Sequence, residues 1–173
     1  MHLRLLAHNV RSLWNVGSFF RTSDALNVER IYLTGYTGHP PRKEITKTAL
    51  GAEEFVPWEQ SDDPIPIIKQ LKKDGWHIVA LEQTTDAIPL DKFPLPSCPS
   101  KLQRSGVNGE CAGEGSQKIV LMVGHELQGV PGNLLSLCNT IIEIPMLGKK
   151  ESLNVSVATG IALWHLMYDS IVK

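Results

Sequence analysis

Residues 119–131 have the sequence IVLMVGHELQGVP, and this stretch decides the fold. The run from Ile119 to Val123 is the most apolar of the chain, which predicts a central strand buried on both faces. A glycine turn, beginning at Gly124, follows the strand directly. Ligands of α/β proteins bind at such turns, beyond the carboxyl ends of parallel strands. The stretch therefore predicts a parallel sheet with a site at this edge, and a turn that binds nothing is the alternative.

The alternation of strands and helices on both sides of this stretch predicts the fold class. Short apolar runs predict strands at 3–7, 30–34, 77–81, 119–123 and 140–144. Helical patterns lie at 16–26 (with Asn15 as the N-cap), 64–73, 132–138 and 153–172. Strands that alternate with helices indicate an α/β fold, a mostly parallel sheet with helices on both faces.

Length and charge limit the domain count and the partners. The 173 residues fit a single domain, 1–173. The 17 Lys+Arg and 18 Asp+Glu residues give a net charge of −1. A protein that binds nucleic acid through its bulk charge is thereby excluded, and any basic surface must be local. The stretch 94–117 is rich in proline, glycine and serine, so we expect a mobile or disordered insertion there, with a functional loop as the alternative.

Cysteines and apolar runs indicate the environment of the protein. The three cysteines form no C-x-x-C pair, which argues against a zinc site and predicts no metal. The sequence shows no signal peptide, and no apolar run approaches the roughly 20 residues that a membrane helix needs. We therefore expect a cytoplasmic protein with no membrane partner.

A second segment with chemical potential contains Asn15 and Arg21, six residues apart near the start of one predicted helix. The free N–H groups and partial positive charge of a helix N-terminus favour an anion such as phosphate. A capped amphipathic helix with a surface arginine is the alternative.

A third segment, IPMLGKKESLNV at 144–155, ends a strand at Pro145 and opens the last helix. Ser152 is accounted for as the N-cap of that helix. Asn154 is not, because asparagine disfavours a helix interior and this position falls in the predicted first turn.

Taken together and in this order, the three segments resemble the signature motifs of the SpoU (TrmH-like) RNA ribose methyltransferases of the SPOUT superfamily. The resemblance also covers KTALGA at 47–52 and ALEQT at 80–84, and it spans nearly the whole chain except 94–117. It implies S-adenosylmethionine-dependent methylation of a ribose 2′-hydroxyl in tRNA or rRNA. It also implies a C-terminal deep trefoil knot, which composition and periodicity do not reveal, and a homodimer in which each subunit completes the site of the other.

The resemblance assigns roles to individual residues. The implied cofactor-binding residues are Leu81, Gly124, Ile144, Met146, Ser152 and Leu153. The implied catalytic residue is Arg21, with Asn15, Glu126, Ser152 and Asn154 as its polar partners. Arg21 either deprotonates the hydroxyl or stays charged and stabilises the developing alkoxide, and both roles stay open.

Local cations and aromatic side chains are the candidates for an RNA surface. The RNA-binding residues we predict are Arg11, Arg21, Arg42, Lys43 and Lys47. Trp14 and Tyr36 could stack on a splayed base or lie in the core. The apolar positions of the last helix could supply core and dimer face together; they are Val157, Ile161, Trp164, Leu166, Met167 and Tyr168.

The choice of substrate and two other functions remain alternatives. We favour tRNA over rRNA, because the sequence shows no separate N-terminal RNA-binding domain. A non-catalytic RNA-binding homologue is the second reading. A nucleotide-dependent oxidoreductase is the third, and the missing dinucleotide-binding fingerprint argues against it.

Overall fold

The computed structural model describes residues 1–94 and 117–171, so the insertion predicted at 94–117 lies almost wholly outside the described residues. The strands are β1 (His2–His8), β2 (Arg30–Thr34), β3 (Trp58–Ser61), β4 (His77–Leu81), β5 (Ile88–Pro89), β6 (Lys118–Val123) and β7 (Thr140–Glu143). The α-helices are α1 (Leu13–Ala25), α2 (Lys43–Ala49), α3 (Pro64–Lys73), α4 (Gly132–Leu135) and α5 (Val155–Ile171). Short 3₁₀ turns lie at Ala52–Glu54 and Leu90–Lys92.

The sheet has seven strands among the described residues, in the order β3-β2-β1-β6-β4-β7-β5. Every pairing is parallel, and β6 pairs with both β1 and β4. The side chains from Ile119 to Val123 are fully buried. The prediction of a central strand in a parallel sheet is therefore confirmed.

Helices cover both faces of the sheet, as predicted, and the pleat of β6 divides its side chains between two cores. Ile119, Leu121 and Val123 pack with residues of α1, α2 and α5 on one face. Val120 and Met122 pack with residues of α3 and α4 on the other. Alternate residues of a strand point to opposite faces, so an uninterrupted apolar run is what a doubly covered strand requires.

The structure corrects the beginning of the first helix. α1 begins at Leu13, and Ser12 holds the N-cap position without a side-chain hydrogen bond. Asn15 lies inside the first turn and is buried, so the prediction that Asn15 is the N-cap was wrong.

Sequence analysis missed α2, β3 and β5 because their local signals are weak. α2 has seven residues, of which only two are buried. Its N-cap position is an arginine, whose side chain makes no capping hydrogen bond. β3 is a four-residue edge strand without buried side chains, and β5 has two residues.

None of the helices in the described part of the chain combines the length and the apolar character that a membrane crossing requires.

Close contact between α1 and α2 depends on Gly17. A β-carbon at this position would overlap the Thr48 hydroxyl and the backbone carbonyl of Ile45. The missing side chain lets the two helices approach, and this places the basic residues of α2 beside α1.

Replacing Gly17 with alanine should therefore destabilise the fold. Overpacking costs typically about 1–3 kcal/mol, and the better helix propensity of alanine recovers only about 1 kcal/mol of it. We expect the free energy of unfolding, measured with urea, to fall by up to about 2 kcal/mol. Gly132→Ala is the control, since a β-carbon there meets no atom within 4 Å. Equal stability of the two variants would contradict the packing argument.

Candidate active site

A cleft with a volume of about 350 Å³ opens at the carboxyl edge of the sheet. It lies where β4, β6 and β7 end and where α5 begins. The structure brings together along it all six residues predicted to bind the cofactor: Leu81, Gly124, Ile144, Met146, Ser152 and Leu153. The volume is within the range of about 300–1,000 Å³ of sites that hold small organic ligands.

The lining of the cleft combines apolar walls with free backbone groups. Leu81, Ile144, Met146 and Leu153 supply apolar side chains. In the described structure the backbone from 145 to 153 forms no hydrogen bond with another backbone group. The backbone groups of Met146, Ser152 and Leu153, which line the cleft, are thus available to a ligand, which suits the flat apolar faces and polar edge of an aromatic heterocycle.

A chain of side-chain hydrogen bonds joins the three sequence segments. The Asn15 amide Nδ2 donates to Glu126 Oε1 over 3.0 Å. The Asn154 amide Nδ2 donates to Asn15 Oδ1 over 3.2 Å, between residues 139 positions apart. Asn15 is only 7% exposed, so this chain satisfies both ends of a buried amide.

The Glu126 side chain binds the backbone at the N-terminus of α1 from another part of the chain. Its carboxylate accepts the backbone N–H groups of Ser12 at 2.9 Å and of Arg11 at 3.1 Å. These groups stand at the positive end of the helix dipole, where an anion is favourable. The carboxylate therefore binds the backbone just before the helix, and Ser12 itself provides no side-chain cap.

Glu126 is ionised at neutral pH. Burial raises the pKa of its carboxyl, but N–H groups of Ser12, Arg11 and Glu126 itself, with the Asn15 amide, bind the charged form. These hydrogen bonds outweigh burial and hold the pKa below its ordinary value.

Asn154 is the N-cap of α5, which explains the residue that sequence analysis left unexplained. Its Oδ1 accepts the backbone N–H of Ser156 at 2.9 Å and the Ser156 hydroxyl at 2.6 Å. Its own carbonyl accepts the N–H of Ala158 at 2.9 Å. The helix begins at Val155, so the prediction that Ser152 is the N-cap was wrong. Ser152 lines the cleft instead.

The loop after β6 is held by side chains to which sequence analysis gave no role. His125 Nδ1 accepts the N–H groups of Leu127 at 2.9 Å and Gln128 at 3.1 Å. Glu82 Oε2 accepts the N–H of Val130 at 2.7 Å. A side chain at Gly129, where φ is 67°, would overlap the Glu82 carboxylate.

The loop between β7 and α5, which contributes residues to the cleft, is hydrogen-bonded to the end of β4. Gln83 Nε2 donates to the Glu151 carbonyl over 2.8 Å. The motif ALEQT at 80–84 therefore contributes a lining residue, Leu81, and two side chains that hold the neighbouring loops. Only a three-dimensional arrangement reveals these last contacts.

Arg21 stands apart from the cleft of its own chain. It is exposed on α1, does not line the cleft, and has no hydrogen-bond or ion-pair partner among the described residues. Its neighbour Thr22 faces α5, where a β-carbon at Gly160 would lie 3.9 Å from Thr22 Cγ2. Arg21 thus lies on a helix that packs against α5, with its own side chain exposed.

The predicted RNA-binding cations are all on the surface. Arg11 is exposed before α1, and Arg42, Lys43 and Lys47 are exposed at α2. Lys47 Nζ lies 5.6 Å from the centre of the Trp14 ring. Trp14 and Tyr36 are both exposed, so neither is a core residue.

No group of three His, Cys, Asp or Glu side chains in the described ranges could hold a metal ion. Cys138 is half-buried, and this burial raises the pKa of its thiol to about 11. Its thiol is therefore protonated at neutral pH.

Comparison with known proteins confirms the resemblance seen in the sequence. The model of the SpoU rRNA Methylase family matches residues 2–164. A tRNA (guanosine(18)-2′-O)-methyltransferase of Aquifex aeolicus is 32% identical over 94% of this chain and 67% of its own length. A 23S rRNA (guanosine-2′-O-)-methyltransferase, RlmB, of Vibrio parahaemolyticus is 27% identical over 94% of this chain and 58% of its own length.

A solved structure supports the same assignment. The crystal structure of a TrmH/SpoU tRNA modifying enzyme of A. aeolicus aligns with a TM-score of 0.79 and 29% identity. The alignment covers 99% of this chain and 76% of that one. The protein therefore belongs to the SpoU family of RNA methylases, and it spans about two thirds or less of the two curated relatives.

Removing the Glu126 carboxylate should destabilise α1. We expect Glu126→Ala to lower the free energy of unfolding by about 1–3 kcal/mol, because the buried Asn15 amide and two backbone N–H groups lose their acceptor. Glu126→Gln, which keeps an acceptor oxygen, should lose less. Glu54→Ala, at an exposed carboxylate without a partner in the described structure, is the control and should change stability little.

The same interaction should depend on pH. The pKa of Glu126 is lower in the folded than in the unfolded protein, so its carboxylate stabilises the fold above the unfolded value of about 4.3. That contribution is lost as the pH falls through the folded value. The stability difference between wild type and Glu126→Gln should therefore persist at neutral pH and shrink in acid. A constant difference across this range would contradict the assignment.

Proposed function

We propose that this chain transfers the methyl group of S-adenosylmethionine to a ribose 2′-hydroxyl in RNA. The observation that carries the proposal is the cleft, because it gathers six residues from three sequence motifs that the family model also spans. The hydrogen-bonded chain of Asn15, Glu126 and Asn154 supports it, because it joins the Asn15 segment to two of the motifs that line the cleft.

The residues of the cleft fit the cofactor. Apolar side chains of Leu81, Ile144, Met146 and Leu153 would surround the adenine, and the free backbone groups of Met146, Ser152 and Leu153 would bind its polar edge. Bound S-adenosylmethionine supplies an electrophilic methyl group on a positively charged sulfur. Ser152 and the backbone around Gly124 complete the set that would hold it.

Arg21 would act on the nucleophile. The 2′-oxygen would bond to the methyl carbon as the methyl–sulfur bond breaks, and its proton would pass to water or to Arg21. Negative charge develops on the ribose oxygen as that proton leaves. The exposed guanidinium has no internal partner in the described structure, so it is available to bind a phosphate and to stabilise that charge. Proton abstraction by Arg21 is the alternative role. Asn15 and Glu126 position the helix that carries Arg21.

Two measurements on the purified protein test the activity. Calorimetric titration should show binding of S-adenosylmethionine and none of NAD. Tritium from the labelled methyl donor should enter RNA isolated from a strain that lacks the gene. Arg21→Lys should bind the cofactor normally but lose at least 10-fold in transfer, since a point charge replaces a planar fork.

The outcomes separate the alternatives. Binding of NAD alone would indicate an oxidoreductase, and RNA binding without methyl incorporation would indicate a non-catalytic homologue. Transfer by Arg21→Lys near the wild-type rate would exclude both roles of Arg21.

We propose tRNA as the substrate, with rRNA as the alternative, and the cytoplasm as the site of the reaction. The A. aeolicus relative that acts on tRNA is 32% identical, and the Vibrio relative that acts on rRNA is 27% identical. Mapping the labelled ribose in fractionated RNA decides between them.

We propose that the protein acts as a homodimer built on α5. Val157, Ile161, Trp164 and Tyr168 follow one another at helical spacing and are all exposed, and the rings of Trp164 and Tyr168 stack at 5.7 Å. Leu166 and Met167, expected for the same helix, pack into the core instead. A second copy would cover the exposed stripe, and Arg21, which does not line the cleft of its own chain, would then act at the partner's cleft.

Mixing two inactive variants tests this arrangement. Arg21→Ala removes the arginine, and Gly124→Val blocks the cleft, because a β-carbon at 124 already overlaps the Gly129 backbone. When equal amounts of the two variants exchange subunits, half of the dimers are hybrids, and each hybrid has one native site of two. The mixture should therefore recover about a quarter of wild-type transfer. Ile161→Glu with Trp164→Glu should give monomers in sedimentation. No recovery from hybrid dimers would place both halves of the site in one chain.

We further propose one domain, 1–173, with the C-terminal deep trefoil knot of the family. Two observations support it: α5 packs beside α1, and Gln83 at the end of β4 holds the segment that follows β7. A crystal structure traced through the whole chain tests the knot.

A further inference from the structure

Tyr36 lies in a turn at the carboxyl edge of the sheet, where two residues have left-handed backbone conformations. Asn9, directly after β1, has φ 57°, and Gly35, directly after β2, has φ 65°. Left-handed backbone is unfavourable for a residue with a side chain, and asparagine tolerates it better than most. Such positions concentrate at functional sites, where surrounding contacts impose them.

Hydrogen bonds fix the backbone of this turn. Asn9 Oδ1 accepts the N–H of Tyr36 at 3.2 Å, and the N–H of Gly35 donates to the Ser61 carbonyl over 3.0 Å. A β-carbon at Gly35 would overlap the Asn9 carboxamide, so the two residues are mutually fitted. The backbone is held on both sides, yet the Tyr36 side chain is 58% exposed.

The Tyr36 ring stands at the rim of the cleft. Its centre lies 6.3 Å from that of the His125 ring, with the planes at 79°. His125 lines the cleft, and its ring is itself held by the two backbone N–H groups of its loop. The next residue, Glu126, belongs to the hydrogen-bonded chain that carries Asn15.

The loop that contains Tyr36 continues to Arg42 and Lys43. Thr37 Oγ1 accepts the N–H of Val10 at 3.0 Å, and Gly38 packs closely against Leu13, so the loop is seated on the start of α1. It then reaches Arg42 and Lys43, both exposed. An exposed aromatic face followed by cations is the arrangement that binds single-stranded nucleic acid, by stacking on bases and pairing with phosphates.

We propose that Tyr36 is a stacking platform for a base of the RNA strand that enters the cleft, with Arg42 and Lys43 on its phosphates. The inference rests on the proposed function and adds a named contact for the substrate. The ring contacts the polar His125 ring, and Asn9 binds the Tyr36 backbone, which favours a nucleotide over an apolar protein partner. Asn9 is a positioning residue, because it acts through the backbone of Tyr36.

Steady-state methyl transfer by the full chain tests the platform. Tyr36→Ala should raise KM for RNA by about 10-fold or more, within the range measured for loss of one stacked base. The value of kcat and the calorimetric affinity for S-adenosylmethionine should stay within about 2-fold, since the change removes only stacking. Tyr36→Phe keeps the ring and should behave as wild type.

Phe55→Ala is the matched control. Phe55 is an aromatic with 76% exposure, but it precedes β3 and so lies at the opposite, amino edge of the sheet. Its removal should leave KM for RNA unchanged. An unchanged KM in Tyr36→Ala, or equal increases in both alanine variants, would overturn the platform.

Two further outcomes would also overturn it, and they differ from each other. A rise in KM together with dissociation into monomers in sedimentation would assign Tyr36 to a protein contact. Wild-type protein that transfers no methyl to any RNA would remove the proposed function itself, whereas wild-type transfer with an unaffected Tyr36→Ala variant removes the platform alone.

Discussion

The carboxylate of Glu126 is the interaction on which the rest of the site depends. It lies in the glycine turn after the central strand and accepts two backbone N–H groups at the start of α1 and the side chain of Asn15. A buried amide is stable only when it is paired. The Glu126 carboxylate therefore binds the backbone just before α1 and orients the buried Asn15. Through the hydrogen bond between Asn15 and Asn154, it also fixes the beginning of the last helix.

Asparagine residues at 15 and 154 serve structure and site together. Asn15 is a poor choice for a helix interior by propensity alone, and its position is accounted for by the two hydrogen bonds it makes across the molecule. Asn154 caps α5 with its oxygen and binds Asn15 with its nitrogen. Each amide uses both ends, so neither could be exchanged for a residue that only donates or only accepts.

Sequence reasoning predicted the layers of the fold but not the contacts that build the site. The run 119–123 and the alternation around it are local patterns, and they indicated the sheet and its covered faces correctly. Asn15 was misassigned as the N-cap of α1 because Glu126, which binds its amide inside the fold, is more than a hundred positions away along the chain. Residues of the cleft came from family motifs. No local sequence pattern indicates the hydrogen bonds that His125 accepts from its own loop, or the exposure of the Tyr36 ring beside the cleft.

A net charge of −1 and a local RNA surface are compatible because the site is divided among elements. The cleft is built from loops after β4, β6 and β7, whereas Arg21 is exposed on α1 and does not line it. Under the proposed function, the pocket for the methyl donor is complete in one chain and the group that acts on the ribose comes from another. A few cations placed across two copies can then bind RNA where the bulk charge cannot.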